Sequence, residues 1–323
     1  MAMDIVVLDG HTLNPGDLSW TTLESLGNVT IYDRTPYDDT TILKRIGNAE
    51  IIFTNKTPIS KYTIKNAPNL RYIGVLATGY NIINVAAAKT KNISVSNVPD
   101  YSTMAVAQFT FALILELCHN VGLHNTSVSR GDWIKSKDFS YWNTPLIELQ
   151  GKTLGLIGFG KIGRATAKIA QAFGLHVLVY NRTTYIEFEN SGLKFAPLST
   201  LLSSSDFISL HCPLTSENKH IINNETISIM KNGAYIINTS RGPLVEENHL
   251  KNALNSGKLA GAALDVVSLE PMAQNNPLLQ AKNCIITPHI AWAPKEARLR
   301  LMQIAVENLK AFLNGKPIHI VNN

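Results

Sequence analysis

The stretch that decides the fold runs from Leu154 to Gly163 and reads LGLIGFGKIG. A short apolar run, typical of a buried strand, leads directly into the pattern GxGxxG, and a helical pattern follows over residues 162–173. In such a strand–turn–helix unit, Gly158 permits the tight turn and Gly160 lets a pyrophosphate approach the backbone. The third glycine of the pattern lets the helix pack closely on the strand. The stretch therefore predicts a Rossmann unit.

The start of this helix is the predicted phosphate site. Lys161 and Ile162 open the helix, whose first N–H groups have no partner inside the helix and attract a negatively charged group. Because the pattern follows a strand and precedes a helix, dinucleotide binding is the interpretation that we adopt. A purely structural glycine turn and a site for S-adenosylmethionine are the alternatives.

The end of the next strand bears on which dinucleotide binds. A site for NAD usually has an acidic residue about 20 residues after the glycines, where it holds the ribose 2′-hydroxyl. This chain has Asn181, Arg182 and Thr183 at that place. The absence of a carboxylate removes repulsion against a 2′-phosphate, and Arg182 offers a partner for one. The sequence therefore favours NADP(H) over NAD(H), the alternative being that Asn181 binds the ribose while Arg182 points into solvent.

Short apolar runs alternate with helical patterns along the whole chain, which predicts an α/β fold with two doubly wound parallel sheets. The predicted strands of the first sheet are residues 5–8, 29–32, 51–54, 72–76 and 93–96. Those of the second sheet are residues 154–157, 177–180, 207–210, 235–238, 262–264 and 285–287. We expect a long helix over residues 104–121 between the two series, and a last helix over about 294–313.

Composition excludes several classes of protein. The net charge of +5 and the pI near 9.0 come from scattered lysines and arginines without interleaved aromatic residues, so we expect no nucleic-acid partner. A charge excess of this size is typical of a solvated surface and would also suit small anionic substrates. The three cysteines have no metal-ligand spacing, which argues against a metal site and fits a reducing compartment. The most apolar stretch, residues 104–118, is too short to span a bilayer. The sequence thus predicts a cytoplasmic protein with no membrane contact.

Three polar residues follow predicted strands of the second sheet, at the edge where this fold binds its ligands. They are Arg241 after residues 235–238, Glu270 after 262–264, and His289 after 285–287. Each has an ordinary structural explanation alone: a surface cap, a turn before proline, or a histidine hydrogen-bonded in place. Their coincidence at one edge, beside a dinucleotide site, indicates a catalytic set.

The three residue types suit the reduction of a 2-keto acid. An arginine holds the carboxylate of such a substrate with two parallel hydrogen bonds and polarises its carbonyl group. A histidine donates a proton near neutral pH, and a neighbouring carboxylate favours the imidazolium form and fixes the ring. The cofactor supplies the hydride.

Taken together, these motifs resemble the D-isomer-specific 2-hydroxyacid dehydrogenase family over essentially the whole chain. The resemblance rests on residues 158–163, 211–215, 238–242, 261–271 and 288–289. Within the family, residues 6–10, 74–81 and 289–293 are most similar to the glycerate dehydrogenases, also called hydroxypyruvate reductases. The resemblance implies transfer of a hydride between a nicotinamide cofactor and a small D-2-hydroxy acid, with D-glycerate, hydroxypyruvate and glyoxylate as the expected substrates.

The resemblance also implies roles for individual residues. It makes His289 the acid/base, Glu270 its partner and Arg241 the substrate clamp. The expected contacts to the substrate carboxylate are the backbone N–H groups of Ala77, Thr78 and Gly79. The expected cofactor contacts, beyond the glycine turn and the residues after the second strand, are Thr103, His211, Pro213, Thr239, Asp265 and His289. Asp265 is expected to hold the nicotinamide amide.

The resemblance further implies a discontinuous substrate domain, residues 1–100 plus 294–323, that is flavodoxin-like and into which a Rossmann cofactor domain, residues 101–293, is inserted. Members of the family are usually dimers, and residues 121–150 are the candidate interface of a homodimer. The competing functions are a phosphoglycerate-type or other 2-keto acid reductase and a dinucleotide-sensing protein like the corepressors built on this scaffold. A formate dehydrogenase would have Gln in place of Glu270. In a chain that ends at Asn323 we expect no regulatory domain of the kind that many phosphoglycerate dehydrogenases carry, although short forms of those enzymes exist.

Overall fold

The computed structural model describes residues 3–322, and the chain divides into two compact units. One unit extends to Ser102 and resumes at Trp292, and the other is Thr103–Ala291. Each contains one parallel β-sheet. The predicted fold class, two doubly wound parallel-sheet units, is confirmed.

The first unit contains a five-stranded sheet in the order β2-β1-β3-β4-β5, which is the flavodoxin-like order. Its strands are β1 (Asp4–Val7), β2 (Asn28–Ile31), β3 (Ile51–Thr54), β4 (Tyr72–Val75) and β5 (Ser94–Ser96). Its helices are α1 (Thr21–Glu24), α2 (Asp39–Ile46), α3 (Lys61–Asn66), α4 (Val85–Thr90) and, at the end of the chain, α11 (Lys295–Leu313). Strands β3 and β4 are buried along their whole length, because helices cover both faces of the sheet.

The last helix is fixed to the start of the chain within this unit. Arg298 donates from Nη1 and Nη2 to the two carboxylate oxygens of Asp17, both at 2.7 Å, and from Nη1 to the Leu13 carbonyl at 3.0 Å. The hydrogen bond from this arginine is the largest of the effects that lower the pKa of Asp17. On the side that faces the sheet, the centre of the Phe312 ring lies 4.9 Å from the centre of the Tyr72 ring in β4. The terminal helix is therefore an integral part of the first unit.

The second unit contains a seven-stranded sheet in the order β12-β11-β10-β9-β6-β7-β8. Its strands are β6 (Thr153–Ile157), β7 (His176–Tyr180), β8 (Leu193–Phe195), β9 (Phe207–Leu210), β10 (Ala234–Asn238), β11 (Leu259–Leu264) and β12 (Cys284–Ile286). Its helices are α5 (Thr103–His119), α6 (Val121–Ser129), α7 (Lys161–Ala172), α8 (Leu198–Ser204), α9 (Asn224–Ile229) and α10 (Glu247–Ser256). Counted within the unit, this is the Rossmann order 3-2-1-4-5-6 with a seventh strand added beside the sixth.

Two predictions about this unit were incomplete. The three-residue edge strand β8 was missed, because a run of one leucine, one lysine and one phenylalanine carries no alternation long enough to read. The helix expected over residues 104–121 ends at His119, since Asn120 adopts a left-handed conformation with φ of 46° and a new helix, α6, begins at Val121.

Among the described helices, none alone is long and apolar enough to cross a membrane, whereas α5 and α6 together, bent by 55°, meet that test by length and composition. Within residues 3–322, no cluster of three or more histidine, cysteine or acidic side chains is arranged to hold a metal ion.

The topology of the second unit determines where a ligand binds. Strands β6 and β9 are neighbours although they are not consecutive, so the connections on either side of them run in opposite directions and leave a crevice at the carboxyl ends of the strands. The loops after β6, β7, β9, β10, β11 and β12 all begin at this edge. These loops carry most of the predicted site residues.

Candidate active site

The glycine turn after β6 is shaped by close backbone packing. Gly158 has a φ of 102°, and a Cβ there would lie 2.6 Å from the carbonyl carbon of His211. At Gly163 a Cβ would lie 2.4 Å from the carbonyl oxygen of Gly158, which holds the first turn of α7 against the end of β6. Both positions therefore require glycine for the fold itself.

Gly160 is different, because a Cβ there would meet no atom within 4 Å and its φ of −70° suits any residue. The fold does not require glycine at this position. It is also the N-cap of α7, a helix that begins with Lys161 and Ile162 and has no side-chain cap. An open space in front of an uncapped helix start is what a pyrophosphate needs, so these residues fit a dinucleotide cofactor.

Asn181, at the end of β7, connects this strand to the glycine turn. Its Oδ1 accepts a hydrogen bond from Phe159 N at 3.1 Å, and its Nδ2 donates to the carbonyl of Thr183 at 2.8 Å. Arg182 and Thr183 are exposed. The amide that replaces the usual carboxylate thus has a structural role, and the two following residues are available for contacts with a ligand.

The loop after β9 packs beside the glycine turn. His211 is hydrogen-bonded through Nε2 to Ser209 Oγ at 2.9 Å, and burial lowers the pKa of His211 to about 4, so its ring is neutral near pH 7. Asn218 fixes the loop by donating to the carbonyl of Pro213 at 2.7 Å. A neutral ring contributes shape but no charge to the expected cofactor groove.

Arg241 is exposed and stands on a short, tightly held segment after β10. Its Nη1 donates to the carbonyl of Ser240 at 2.7 Å, and its own carbonyl accepts from the Nδ2 of the fully buried Asn238 at 2.9 Å. A Cβ at the next residue, Gly242, would lie 2.0 Å from the carbonyl carbon and oxygen of Val267. This contact, which sequence reasoning missed, holds the Arg241 segment against the loop that carries Glu270.

His289 and Glu270 form the predicted pair. His289 Nδ1 lies 2.7 Å from Glu270 Oε2, and the other carboxylate oxygen of Glu270 accepts from Val267 N at 3.2 Å. An ionised carboxylate only accepts hydrogen bonds, so Nδ1 is the donor in this pair. The φ of His289 is 55°, an unusual value for a residue with a side chain, and such conformations concentrate at functional sites.

Asp265 explains how the chain holds His289 in that conformation. This carboxylate is 1% exposed. Its Oδ1 accepts from Thr287 Oγ1 at 2.6 Å and from Ile290 N at 2.9 Å, and its Oδ2 accepts from Ala291 N at 2.8 Å. The three donors flank His289 on both sides. Sequence reasoning did not find this anchoring role, although an aspartate directly after a buried strand was a usable signal; the expected contact to a nicotinamide amide stays a prediction.

Two further residues of the second unit, Thr239 and Thr103, were predicted to contact the cofactor. Thr239 follows β10, and its Oγ1 lies 3.1 Å from Thr110 Oγ1 of α5. Thr103 is the first residue of α5. Their contacts to a cofactor stay predictions.

The predicted substrate loop belongs to the first unit and follows β4. Val98 N donates to the carbonyl of Ala77 at 3.0 Å, and Asn97 Nδ2 donates to the carbonyl of Thr78 at 2.7 Å. Within residues 3–322, no protein acceptor takes the backbone N–H groups of Ala77, Thr78 or Gly79. Three consecutive N–H groups without a protein partner, on a loop held by its carbonyls, are suited to a carboxylate.

Comparison with known proteins decides which family the chain belongs to. Residues 111–291 match the family model described as "D-isomer specific 2-hydroxyacid dehydrogenase, NAD binding domain". A hydroxypyruvate reductase of Blautia hydrogenotrophica is 55% identical over 99% of this chain and 100% of its own length. The chain belongs to the D-isomer-specific 2-hydroxyacid dehydrogenase family.

Other relatives of this dehydrogenase carry related names. A glycerate dehydrogenase of Methylorubrum extorquens is 42% identical, over 87% of this chain and 88% of its own. A glyoxylate reductase of Aeropyrum pernix is 38% identical, over 90% of this chain and 88% of its own.

Solved structures show the same fold with a nicotinamide cofactor bound. A D-lactate dehydrogenase from Aquifex aeolicus, in complex with NAD and lactic acid, is 30% identical with a TM-score of 0.83 over 99% of both chains. An acyclic imino acid reductase, Bsp5, in complex with NADPH and D-Arg, is 30% identical with a TM-score of 0.85 over 99% of this dehydrogenase and 100% of that chain. Of these two similar structures, one contains NAD and the other NADPH. The match to the NAD-binding domain of the family shows that this dehydrogenase uses a nicotinamide cofactor.

Proposed function

We propose that this dehydrogenase reduces hydroxypyruvate to D-glycerate. The observation that carries the proposal is the His289–Glu270 pair at 2.7 Å, which lies with Arg241 at the same sheet edge as the open glycine turn. The relatives named hydroxypyruvate reductase and glycerate dehydrogenase support this choice of substrate. Glyoxylate is the second candidate, since another relative is named for its reduction.

In the proposed reaction, His289 Nε2 donates a proton to the carbonyl oxygen at C2 of the substrate. Glu270 holds the opposite nitrogen of the ring and stabilises the imidazolium before the transfer. A bound reduced nicotinamide supplies the hydride that C2 receives. The carbonyl thereby becomes a hydroxyl group, and His289 is left neutral until it takes a proton from water.

Arg241 and the Ala77–Thr78–Gly79 loop are the proposed carboxylate-binding groups. The guanidinium of Arg241 is exposed, so it can hold an anionic substrate and polarise the carbonyl. The three backbone N–H groups without a protein acceptor supply further donors. We assign cofactor binding to the second unit.

The cofactor preferred by the dehydrogenase is proposed to be NADP(H). The support is the residue set after β7, where Asn181 is bonded to the backbone and Arg182 is exposed with no acidic residue beside it. A carboxylate at this place would repel a 2′-phosphate, whereas an arginine pairs with one.

The first test is an absorbance assay of hydroxypyruvate reduction with NADPH and, separately, with NADH. We expect rapid oxidation of the cofactor and a kcat/KM at least about tenfold higher with NADPH, since one added charge-assisted hydrogen bond is worth about 1.5–3 kcal/mol. No turnover with hydroxypyruvate or glyoxylate, together with tight dinucleotide binding, would contradict the proposed reaction and favour the sensing function. A higher kcat/KM with NADH would contradict the cofactor preference alone.

We also propose that the dehydrogenase is a homodimer joined through residues 121–150. Large hydrophobic side chains stand exposed throughout this segment: Val121, Leu123, Val128, Trp133, Ile134, Phe139, Trp142 and Leu146. Phe139 is 90% exposed and Ile134 is 89% exposed. An apolar surface of this kind is typical of a protein–protein interface, and a second copy provides a matching one.

Replacing Phe139 by aspartate is expected to convert the dimer to a monomer, because a charge buried within an apolar interface is desolvated without a partner. Light scattering after gel filtration measures the mass directly. Tyr62→Asp is the control, since Tyr62 is 58% exposed but belongs to α3 of the first unit. A parent protein that is monomeric would contradict the proposed assembly.

The three cysteines, Cys118, Cys212 and Cys284, are all free thiols. Unpaired cysteines persist in a reducing compartment, which supports the proposal that the enzyme works in the cytoplasm.

A further inference from the structure

Arg164 has surroundings that neither the glycine turn nor the proposed reaction explains. It follows Gly163 in the first turn of α7, and its guanidinium carbon lies 4.6 Å from the centre of the Tyr185 ring and 4.5 Å from that of Phe188. The ring of Phe159 is 5.6 Å away, and Arg164 Nε donates to the carbonyl of Phe159 at 3.2 Å. Three aromatic rings and one hydrogen bond therefore hold this cation in one place.

The remaining hydrogen-bonding capacity of Arg164 is unused by the protein. Among the described residues, none accepts a hydrogen bond from its Nη1 or Nη2. The face of an aromatic ring attracts a guanidinium cation without occupying its N–H groups. The donors in the plane of the guanidinium therefore stay available for another ligand. The structure thus presents a fixed, half-buried cation with donors to spare.

This cation lies beside the segment that determines cofactor choice. Phe159 connects Arg164 to that segment. Its N–H donates to Oδ1 of Asn181, and its carbonyl accepts from Nε of Arg164. Tyr185 and Phe188, which contact the guanidinium, follow only a few residues after Arg182. No acidic residue stands between Asn181 and Ile186, so nothing in that stretch neutralises the two arginines.

We propose that Arg164 is a specificity-determining residue of the cofactor site, which binds the 2′-phosphate of NADP(H) together with Arg182. This inference rests on the proposed preference for NADP(H) and names a residue responsible for it. Arg164 supplies a cation whose position is fixed before the cofactor arrives, whereas the exposed Arg182 must lose side-chain freedom to bind. A phosphate dianion matches the planar donors of an arginine better than it matches a lysine.

The test measures binding of two fragments, 2′,5′-ADP and 5′-AMP, to the parent and to Arg164→Gln by calorimetry, without any turnover. We expect the parent to bind 2′,5′-ADP more tightly. In R164Q the Kd for 2′,5′-ADP should rise roughly tenfold to a hundredfold, the range for a lost hydrogen bond to a charged group, while the Kd for 5′-AMP changes less than about twofold. Arg164→Lys keeps the charge and should lose less 2′,5′-ADP affinity than R164Q.

Lys168→Gln is the matched control, because Lys168 is an exposed cation one turn further along α7. It should leave both affinities within about twofold of the parent, and thermal unfolding shows whether each variant is folded. If R164Q and R164K bind both fragments more weakly, and by the same factor, Arg164 only packs against the loop. That result would overturn the inference. A parent that binds the fragments equally well contradicts the preference for NADP(H) and this inference together, whereas a parent that discriminates and an R164Q variant that discriminates equally contradict the inference alone.

Discussion

His289→Ala is expected to lower kcat for hydroxypyruvate reduction by about 10²- to 10⁴-fold, the range for loss of a positioned general acid. The reason is the geometry of the pair: Glu270 Oε2 lies 2.7 Å from Nδ1 and orients the ring, whose Nε2 is the proposed donor to the substrate. Alanine removes that donor and leaves the glycine turn, which belongs to other loops, unchanged. The Kd for the dinucleotide should therefore stay within a few-fold of the parent value.

The second unit offers a matched control for this variant. His249 and Glu246 also form a histidine–carboxylate pair, with Nδ1 3.3 Å from Oε2, but they lie at the start of α10. His249→Ala should therefore leave kcat within about twofold of the parent. Steady-state kinetics with both variants, and fluorescence titration with the dinucleotide, separate loss of chemistry from loss of binding. If H289A reduces hydroxypyruvate at the parent rate, His289 is not the proton donor.

The sequence predicted those parts of the site that depend on the order of strands and loops. Every predicted strand is present, and the Arg241, Glu270 and His289 loops follow β10, β11 and β12 as expected. This succeeds because parallel strands bring their carboxyl ends to one edge, whatever the side chains between them. Periodicity and glycine spacing carry that information along the chain.

Contacts between loops could not be predicted in this way. The approach of Gly242 to the Val267 backbone and the three hydrogen bonds to Asp265 join segments that are distant in sequence, and nothing in either segment alone specifies its partner. The end of helix α5 before Asn120 was also missed, because an apolar pattern continues through residues 104–121. That pattern does not indicate the left-handed backbone conformation of Asn120. Asn181 could be flagged as an unusual residue, but its bond to Phe159 N required the structure.

A substitution in the glycine turn is the second change for which we expect a large effect. It should weaken cofactor binding without affecting folding. Gly160→Ala is expected to leave the fold intact, because its Cβ would meet no atom within 4 Å and its φ of −70° is an ordinary one. The loss of glycine at this N-cap costs at most about 1 kcal/mol. The same methyl group would stand in the space proposed for the pyrophosphate, so the Kd for the dinucleotide should rise at least about tenfold, which corresponds to ~1.4 kcal/mol.

Gly158→Ala and Gly163→Ala are the variants with which Gly160→Ala should be compared. At both positions a Cβ would lie within 2.6 Å of a backbone atom, and Gly158 also has a φ of 102°, so these variants should lose stability and cofactor binding together. Thermal unfolding and dinucleotide titration, measured on all three variants, report the two properties separately. A structural glycine turn predicts that G160A binds the dinucleotide as the parent does, whereas a pyrophosphate site predicts a folded protein that has lost its cofactor. Only the middle glycine can distinguish the two, because it is the one that the fold does not need.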